Sequence, residues 1–211
     1  MKPSRVVPVL AQWLLPLALV WAGPAWSGTD NIELGLHYNW TWPQMDAAHM
    51  RQGQSFGLLF HYWLNDTTTI DGAVDQLDNV WKVSEPHGSS DLDFKMYLLS
   101  AGVRYSPELD FFLSPYFGGG LAYQLWNTTS SAPGVQDHKG SGVAFYVTGG
   151  AEYRISPRVA VGPCLRFVYV PFKDRLETSV REIGGRKFVD KTHLTQVGFL
   201  VTGVNFTVQI K

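Results

Sequence analysis

Between Asn31 and Trp42 the chain alternates without a break. Ile32, Leu34, Leu36, Tyr38, Trp40 and Trp42 are all apolar or aromatic, whereas Asn31, Glu33, Gly35, His37, Asn39 and Thr41 between them are not. Successive side chains of a strand point to opposite faces, so this spacing predicts a strand with one greasy and one polar face. The same period returns along the chain. It predicts strands over about 55–64, 68–83, 95–105, 115–126, 143–155, 159–172 and 192–210. Apolar positions at a helical period of 3.6 are hard to find.

Eight strands leave seven connections, and these alternate in length. Short ones fall near 65–67, 106–110 and 156–158. Long ones fall near 43–53, 84–91, 127–141 and 173–191. An all-β, eight-stranded antiparallel up-and-down transmembrane β-barrel has this asymmetry, with short periplasmic turns and longer outer loops. A soluble lipocalin-like barrel shares the strand count but buries its apolar face inside. The charged residues decide between the two. Glu33, Asp71, Asp75, Arg104, Glu152, Arg154 and Arg166 all share the polar face, which an apolar ligand chamber would not tolerate. The aromatics add a second argument. Tyr38, Trp40, Trp42, Trp126, Tyr169 and Phe172 gather toward the long loops, and Tyr62, Tyr105, Phe111, Tyr153 and Phe206 toward the short turns. Ordinary β-propensity explains the residue types but not the banding. Two such bands are expected where a barrel crosses both membrane interfaces.

The N-terminus has a different grammar. Lys2 and Arg5 precede a mostly apolar stretch from Val6 to Ala22, and Ala25-Trp26-Ser27 puts small residues before Gly28. This is the layout of a cleaved secretory signal peptide over residues 1–27, leaving residues 28–211 as the barrel domain. Pro8, Gln12 and Pro16 make the stretch a poor membrane anchor. Composition agrees with export and narrows the function classes. The 17 basic and 18 acidic residues of the 211 nearly cancel, and none of the chain is strongly basic, which argues against nucleic acid as the partner. Cys164 is the single cysteine, so neither an internal disulfide framework nor a Cys-pair zinc site is available.

Two segments carry a resemblance. Ser114-Pro115-Tyr116-Phe117-Gly118-Gly119-Gly120-Leu121-Ala122-Tyr123 is similar to the fifth strand of small bacterial outer-membrane barrels. Gly149-Gly150-Ala151-Glu152-Tyr153-Arg154-Ile155-Ser156-Pro157-Arg158 is similar to the strand, turn and strand that follow. The group comprises the outer membrane protein A barrel, outer membrane proteins W and X, and the opacity-type surface proteins. The resemblance implies a monomer in the outer membrane of a Gram-negative-type bacterium. Its implied partners are outer-membrane lipid and lipopolysaccharide, and the barrel-assembly machinery during folding. Such chains often end in Phe or Trp. This one ends Phe206-Thr207-Val208-Gln209-Ile210-Lys211, without that last aromatic.

Several constellations bear on chemistry. A barrel of eight strands is wide enough only for side chains to fill it, and isolated charges there are costly. Glu33, Asp71, Asp75 and Glu152 are therefore expected to pair with Arg104, Arg154 and Arg166, with His37 and His61 nearby, as a plug. The sharper alternative is a gated ion path or proton relay. Arg166 is expected higher in the lumen, within reach of Asp75. His87-Gly88-Ser89 has the His-x-Ser spacing of lipid A deacylases, but in a loop of ordinary turn residues, so no catalytic residue is assigned. His37 and His61 share the inner face without a third ligand at a telling spacing, so neither metal nor cofactor is expected. Cys164 reads as a small inward filler. Residues 173–191 hold ten charged residues split by Gly184-Gly185, which predicts a hairpin ribbon above the membrane. Arg181, Arg186 and Lys187 are its candidate contacts for lipopolysaccharide phosphate or another surface partner. The function expected is a structural or surface-interaction barrel rather than an enzyme. A narrow conduit for small apolar or ionic solutes, of the outer membrane protein W type, is the second reading, and a lipid A-modifying acyl hydrolase the third.

Overall fold

The structure, a computed structural model, describes residues 32–45, 47, 50–85, 88–109, 112–130, 137–171, 175–183, 186–193 and 196–210. Within 81–91, at 130 and within 172–195 it describes backbone alone. The proposed leader, His87, Phe111 and Phe172 lie outside the described residues.

The described chain is all β. Its strands are β1 (Ile32–Met45), β2 (Gly53–Trp63), β3 (Thr68–Glu85), β4 (Gly88–Tyr105), β5 (Ser114–Ser130), β6 (His138–Ser156), β7 (Val159–Pro171), β8 (Arg175–Ile183), β9 (Arg186–His193) and β10 (Gln196–Gln209). Eight of them close a barrel in the order β1-β10-β7-β6-β5-β4-β3-β2, every pair antiparallel. Closure between β1 and β10 runs from Glu33↔Gln209 to Met45↔Val197, so no edge is left to satisfy in lipid. The ribbon expected from Gly184-Gly185 is present as β8 and β9, and it forms its own two-stranded sheet rather than a continuation of the barrel wall.

The short turns are built from local side-chain acceptors. Thr67 N–H donates to Asn65 Oδ1 at 3.0 Å, and Val159 N–H to Ser156 Oγ at 3.1 Å. Two of the expected long loops shorten. Backbone pairing carries β3 and β4 to Glu85↔Gly88, so most of 84–91 is strand. Likewise β5 runs on to Ser130 and β6 begins at His138, inside the expected 127–141 loop. A tilted strand needs only about 9–11 residues to cross a bilayer. β3 and β4 have 18 each, so this side of the barrel stands well above the outer membrane surface.

The alternation read from the sequence sorts inside from outside. Leu99 on β4 is 62 % exposed and Phe145 on β6 is 50 % exposed, while Arg104 is 2 % exposed. A continuous exposed apolar belt of this kind is what lipid requires and what water does not permit. Along β4 the phase then inverts. Tyr97, Leu99, Ala101 and Val103 point outward, but above them Asp93 and Lys95 point outward while Leu92, Phe94, Met96 and Leu98 are buried inside.

Candidate functional site: the lumen

The lumen is filled in two storeys. The lower, toward the short turns, is ionic. β4 ends on Arg104 and β6 lays Glu152 beside it, and the Arg104 Nη2–Glu152 Oε2 distance is 2.7 Å. The same guanidinium lies 3.9 Å over the Tyr116 ring and 3.4 Å from both His61 Nδ1 and Ser106 Oγ. Glu33, at the start of β1, takes Arg154 Nη2 at 3.3 Å and His61 Nδ1 at 3.5 Å. Asp71 approaches His61 Nε2 at 3.9 Å and accepts from Thr69 Oγ1 at 3.0 Å. Arg154 sits next to a register shift in β6 and is 41 % exposed at the mouth; the other members are buried or nearly so. The mouth itself is a cavity of about 580 Å³ bounded by Arg104, Glu152, Arg154, Trp63 and Glu108.

A second ionic cluster stands higher. Arg166 Nη1 donates to Asp75 Oδ2 at 2.8 Å, and His37 Nε2 abuts Asp75 Oδ1. Gly57 makes room for this pair, because a Cβ there would fall on His37 Nε2, the Val74 carbonyl and Asp75 Oδ1. Arg166 also lies 4.8 Å from the Tyr146 ring. Between the clusters is a cavity of about 30 Å³ lined by His37, His61, Asp71, Arg104, Arg166 and Asn205 among others, room for roughly one water. Cys164 borders it, with Sγ donating to Asn39 Oδ1 at 3.1 Å. All nine residues expected in the ionic network therefore lie in the lumen, and each is within 4 Å of an oppositely charged or ionisable partner. Among the described residues no group of three His, Cys, Asp or Glu side chains is placed to hold a metal.

The upper storey is mainly apolar, with Thr41, Asn79, Gln124 and Thr128 buried at its level, and the sequence reading did not anticipate it. Leu77, Leu92, Phe94, Met96, Leu98, Val168, Val170, Val197 and Phe199 are each at most 2 % exposed, and Phe94 stacks on Trp126 and Phe199 at centroid distances of 6.1 and 6.2 Å. Ala47 and Met50, from the β1–β2 connection, pack in the same cluster. That connection is tied down by Arg51 N–H to the Val80 carbonyl at 2.7 Å. Trp126 is a correction. Its even position faces inward and it is 4 % exposed, so it belongs to this core and not to a lipid-facing girdle. The signal for the storey was present as the inverted phase at Leu92–Leu98, where charged residues occupy the face that is apolar lower down.

The remaining expected girdle residues are on the outer wall. Tyr38, Trp40, Tyr105 and Tyr153 are exposed, and Trp42, Tyr62, Tyr169 and Phe206 are half-exposed. Tyr38 and Trp40 meet edge to face at 5.6 Å, and Tyr105 meets Phe117 at 5.3 Å. Arg181, Arg186 and Lys187 fall on β8 and β9, where only backbone is described. Register places Arg181 opposite Phe188, Arg186 opposite Ile183 and Lys187 opposite Glu182. Ser89 lies on β4 opposite Ser84, again as backbone alone.

Comparison with known proteins bears on this closed, lipid-belted barrel. The profile of the outer membrane protein beta-barrel domain matches residues 13–200. The chain belongs to that family. It is an outer-membrane β-barrel protein of the small eight-stranded kind, and the family places it in the outer membrane of Gram-negative bacteria. Among solved structures, the outer membrane protein OprG from Pseudomonas aeruginosa aligns with a TM-score of 0.60 at 14 % identity, over 86 % of this chain and 96 % of that one. Neisserial surface protein A aligns at 0.52 and 18 %, over 84 % and 96 %. Ail of Yersinia pestis, in complex with the heparin analogue sucrose octasulfate, aligns at 0.50 and 15 %, over 85 % and 99 %. At such identities these neighbours share the fold alone. No curated protein matches the chain in sequence.

Proposed function

We propose that this barrel is a closed structural and surface-interaction protein, not an enzyme and not an open pore. The observation that carries the reading is the double filling of the lumen. Ion pairs occupy the periplasmic half and an apolar cluster the outer half. The second holds no charged side chain among the described residues, and a charge entering it would lose its hydration. The outer-wall aromatics serve as interface belts, and the β8–β9 ribbon with the upper rims of β3 to β6 forms the contact surface. Export through a leader cut after Ser27 is part of the same proposal, and intact mass of the mature protein should begin at Gly28. Planar-bilayer recording of the purified barrel tests closure. Wild-type protein should conduct little, and a large steady conductance would overturn the reading.

A second reading draws on the apolar lining itself. If Phe94, Trp126 and Phe199 moved aside, the outer lumen would become a greasy passage for small apolar solutes. Uptake of such a solute into vesicles carrying the barrel, with no ionic conductance, would favour this conduit over the plug.

A further inference from the structure

The periplasmic mouth carries two acids that the ion pairs of the lumen do not use. Asp66 sits in the β2–β3 turn and Glu108 in the β4–β5 connection, and both are exposed. The two connections are tied together, because Ser106 N–H donates to the Thr67 carbonyl at 2.7 Å. Thr67 in turn gives its own N–H and its hydroxyl to Asn65 Oδ1, each at 3.0 Å, which fixes the turn that holds Asp66. Asp66 and Glu108 line one cavity, the mouth of about 580 Å³, a size that takes a small organic molecule. Its charges do not balance. Arg104 is spent on Glu152, and Arg154 on Glu33. Neither Asp66 nor Glu108 has an ion-pair partner among the described residues, so both carboxylates stay uncompensated. Glu152 lines the same cavity, is 3 % exposed, and has an Oε1 that accepts no hydrogen bond among the described residues. Trp63, at the end of β2, and Leu109 supply an aromatic and an aliphatic wall.

We propose that the mouth binds an aliphatic diamine, with its ammonium groups on Asp66 and Glu108 and its methylene chain along Trp63 and Leu109. The inference goes beyond the closed-barrel reading and holds whether or not the lumen conducts. Charge sets the sign and the amount, since two free carboxylates call for two positive charges. The donor set decides the kind of cation. A hard metal ion needs several oxygen ligands converging on one point. Among the described residues no group of three His, Cys, Asp or Glu side chains is so placed. Two ammonium groups on a flexible chain need no such convergence, because each brings its own N–H donors to its own carboxylate. The face of the Trp63 ring attracts a cation, and Leu109 covers methylenes. An ammonium that reaches inward finds Glu152 Oε1, a buried acceptor without a donor. Arg104 and Arg154 repel a cation that goes deeper, so the diamine stays at the mouth.

The test uses the full mature barrel in phosphatidylcholine nanodiscs, whose lipid carries no net charge. Cadaverine is the probe, isothermal titration calorimetry at low salt the readout, and empty nanodiscs the blank. Wild-type barrel should bind cadaverine saturably. An exposed ion pair strengthens binding by up to about fivefold, so Asp66→Asn with Glu108→Gln should weaken it roughly 5- to 25-fold. Both residues are exposed, so the heat-dependent gel mobility of the folded barrel should not change. n-Pentylamine, with the same chain length and one ammonium, should bind wild type several-fold more weakly than cadaverine. Equal affinity of wild type and double variant for cadaverine would overturn the proposal. So would n-pentylamine binding as tightly as cadaverine, since the second charge would then have no partner. Mg²⁺ displacing cadaverine more strongly than Na⁺ at equal ionic strength would overturn it as well, because the mouth would then prefer a metal ion.

Discussion

Glu152→Gln isolates what the lower ion pairs contribute. The substitution keeps the shape of the side chain and removes its charge. In the native barrel Arg104 is 2 % exposed and its strongest partner is Glu152, at 2.7 Å. What would remain is the Tyr116 ring, the Ser106 hydroxyl and a His61 nitrogen, the last two at 3.4 Å. Removing one partner of a buried pair typically costs about 3–5 kcal/mol. Here the mouth cavity adjoins both residues, so water can partly resolvate the guanidinium, and about 2–4 kcal/mol is the better expectation. We predict that urea titration of the barrel in lipid vesicles, followed by heat-dependent gel mobility, shows a loss in this range. The double variant Arg104→Leu with Glu152→Leu leaves no orphan charge and should be more stable than Glu152→Gln alone. A loss under about 1 kcal/mol would refute the reasoning, since exposed pairs already reach that value. A double variant no better than the single one would refute it too.

The lipid face should reject charge where the lumen face tolerates change. Leu99→Arg should cost about 2–4 kcal/mol in the same titration, and Ser100→Ala, which loses only a 3.4 Å bond to the Ala73 carbonyl, under about 1 kcal/mol. Gly57→Val should displace the His37–Asp75 contact and destabilise the barrel measurably, whereas Gly72→Ala, where a Cβ meets nothing nearer than 3.8 Å, should be close to neutral. Phe94→Ser with Phe199→Ser should raise single-channel conductance above wild type while Glu152→Gln leaves it unchanged; planar-bilayer recording checks both, and the opposite order would assign the barrier to the ion pairs.

Much of this architecture is legible in the chain because lipid imposes a simple rule on each strand. Where both the outside medium and the lumen are of one kind, period two is enough. It sorted Leu34 from Glu33 and Phe60 from His61, and parity with strand direction sufficed to bring Arg104 beside Glu152 and Arg166 beside Asp75. The rule fails where the surroundings change along a strand. Above the membrane the wall meets water and the lumen turns apolar, so Leu92, Phe94 and Met96 take the inner face. Trp126 departs from the expected girdle for the same reason, being a residue type common in girdles that stands near a boundary. Its even number, one step from outward Leu125 and Asn127, was the better guide. The overlong β3 and β4 were hidden because Ser84, Pro86, Gly88 and Ser90 have loop composition, whereas backbone pairing up to Glu85↔Gly88 is decided by the partner strand.

The two storeys divide the work of closing the lumen according to what each can do. Ion pairs near an open mouth are poor barriers, because Arg154 is exposed there beside a cavity and a small ion can exchange with either partner. They do fix geometry, since Glu33 of β1, His61 of β2, Arg104 of β4 and Glu152 and Arg154 of β6 must meet at one level, and a one-residue slip of any of these strands would send its charge into lipid. The apolar storey has the opposite character. Leu, Val and Phe contacts are non-directional and do little to choose a register, but a layer including Phe94, Met96, Val170 and Phe199, none more than 2 % exposed, offers an ion no charged partner. Its position above the outer membrane surface also removes a constraint, because the exposed outward Asp93 meets water there and not lipid. At that height the inner face supplies the burial that lipid contact supplies lower down. Barrel strands this long could otherwise not stand clear of the bilayer.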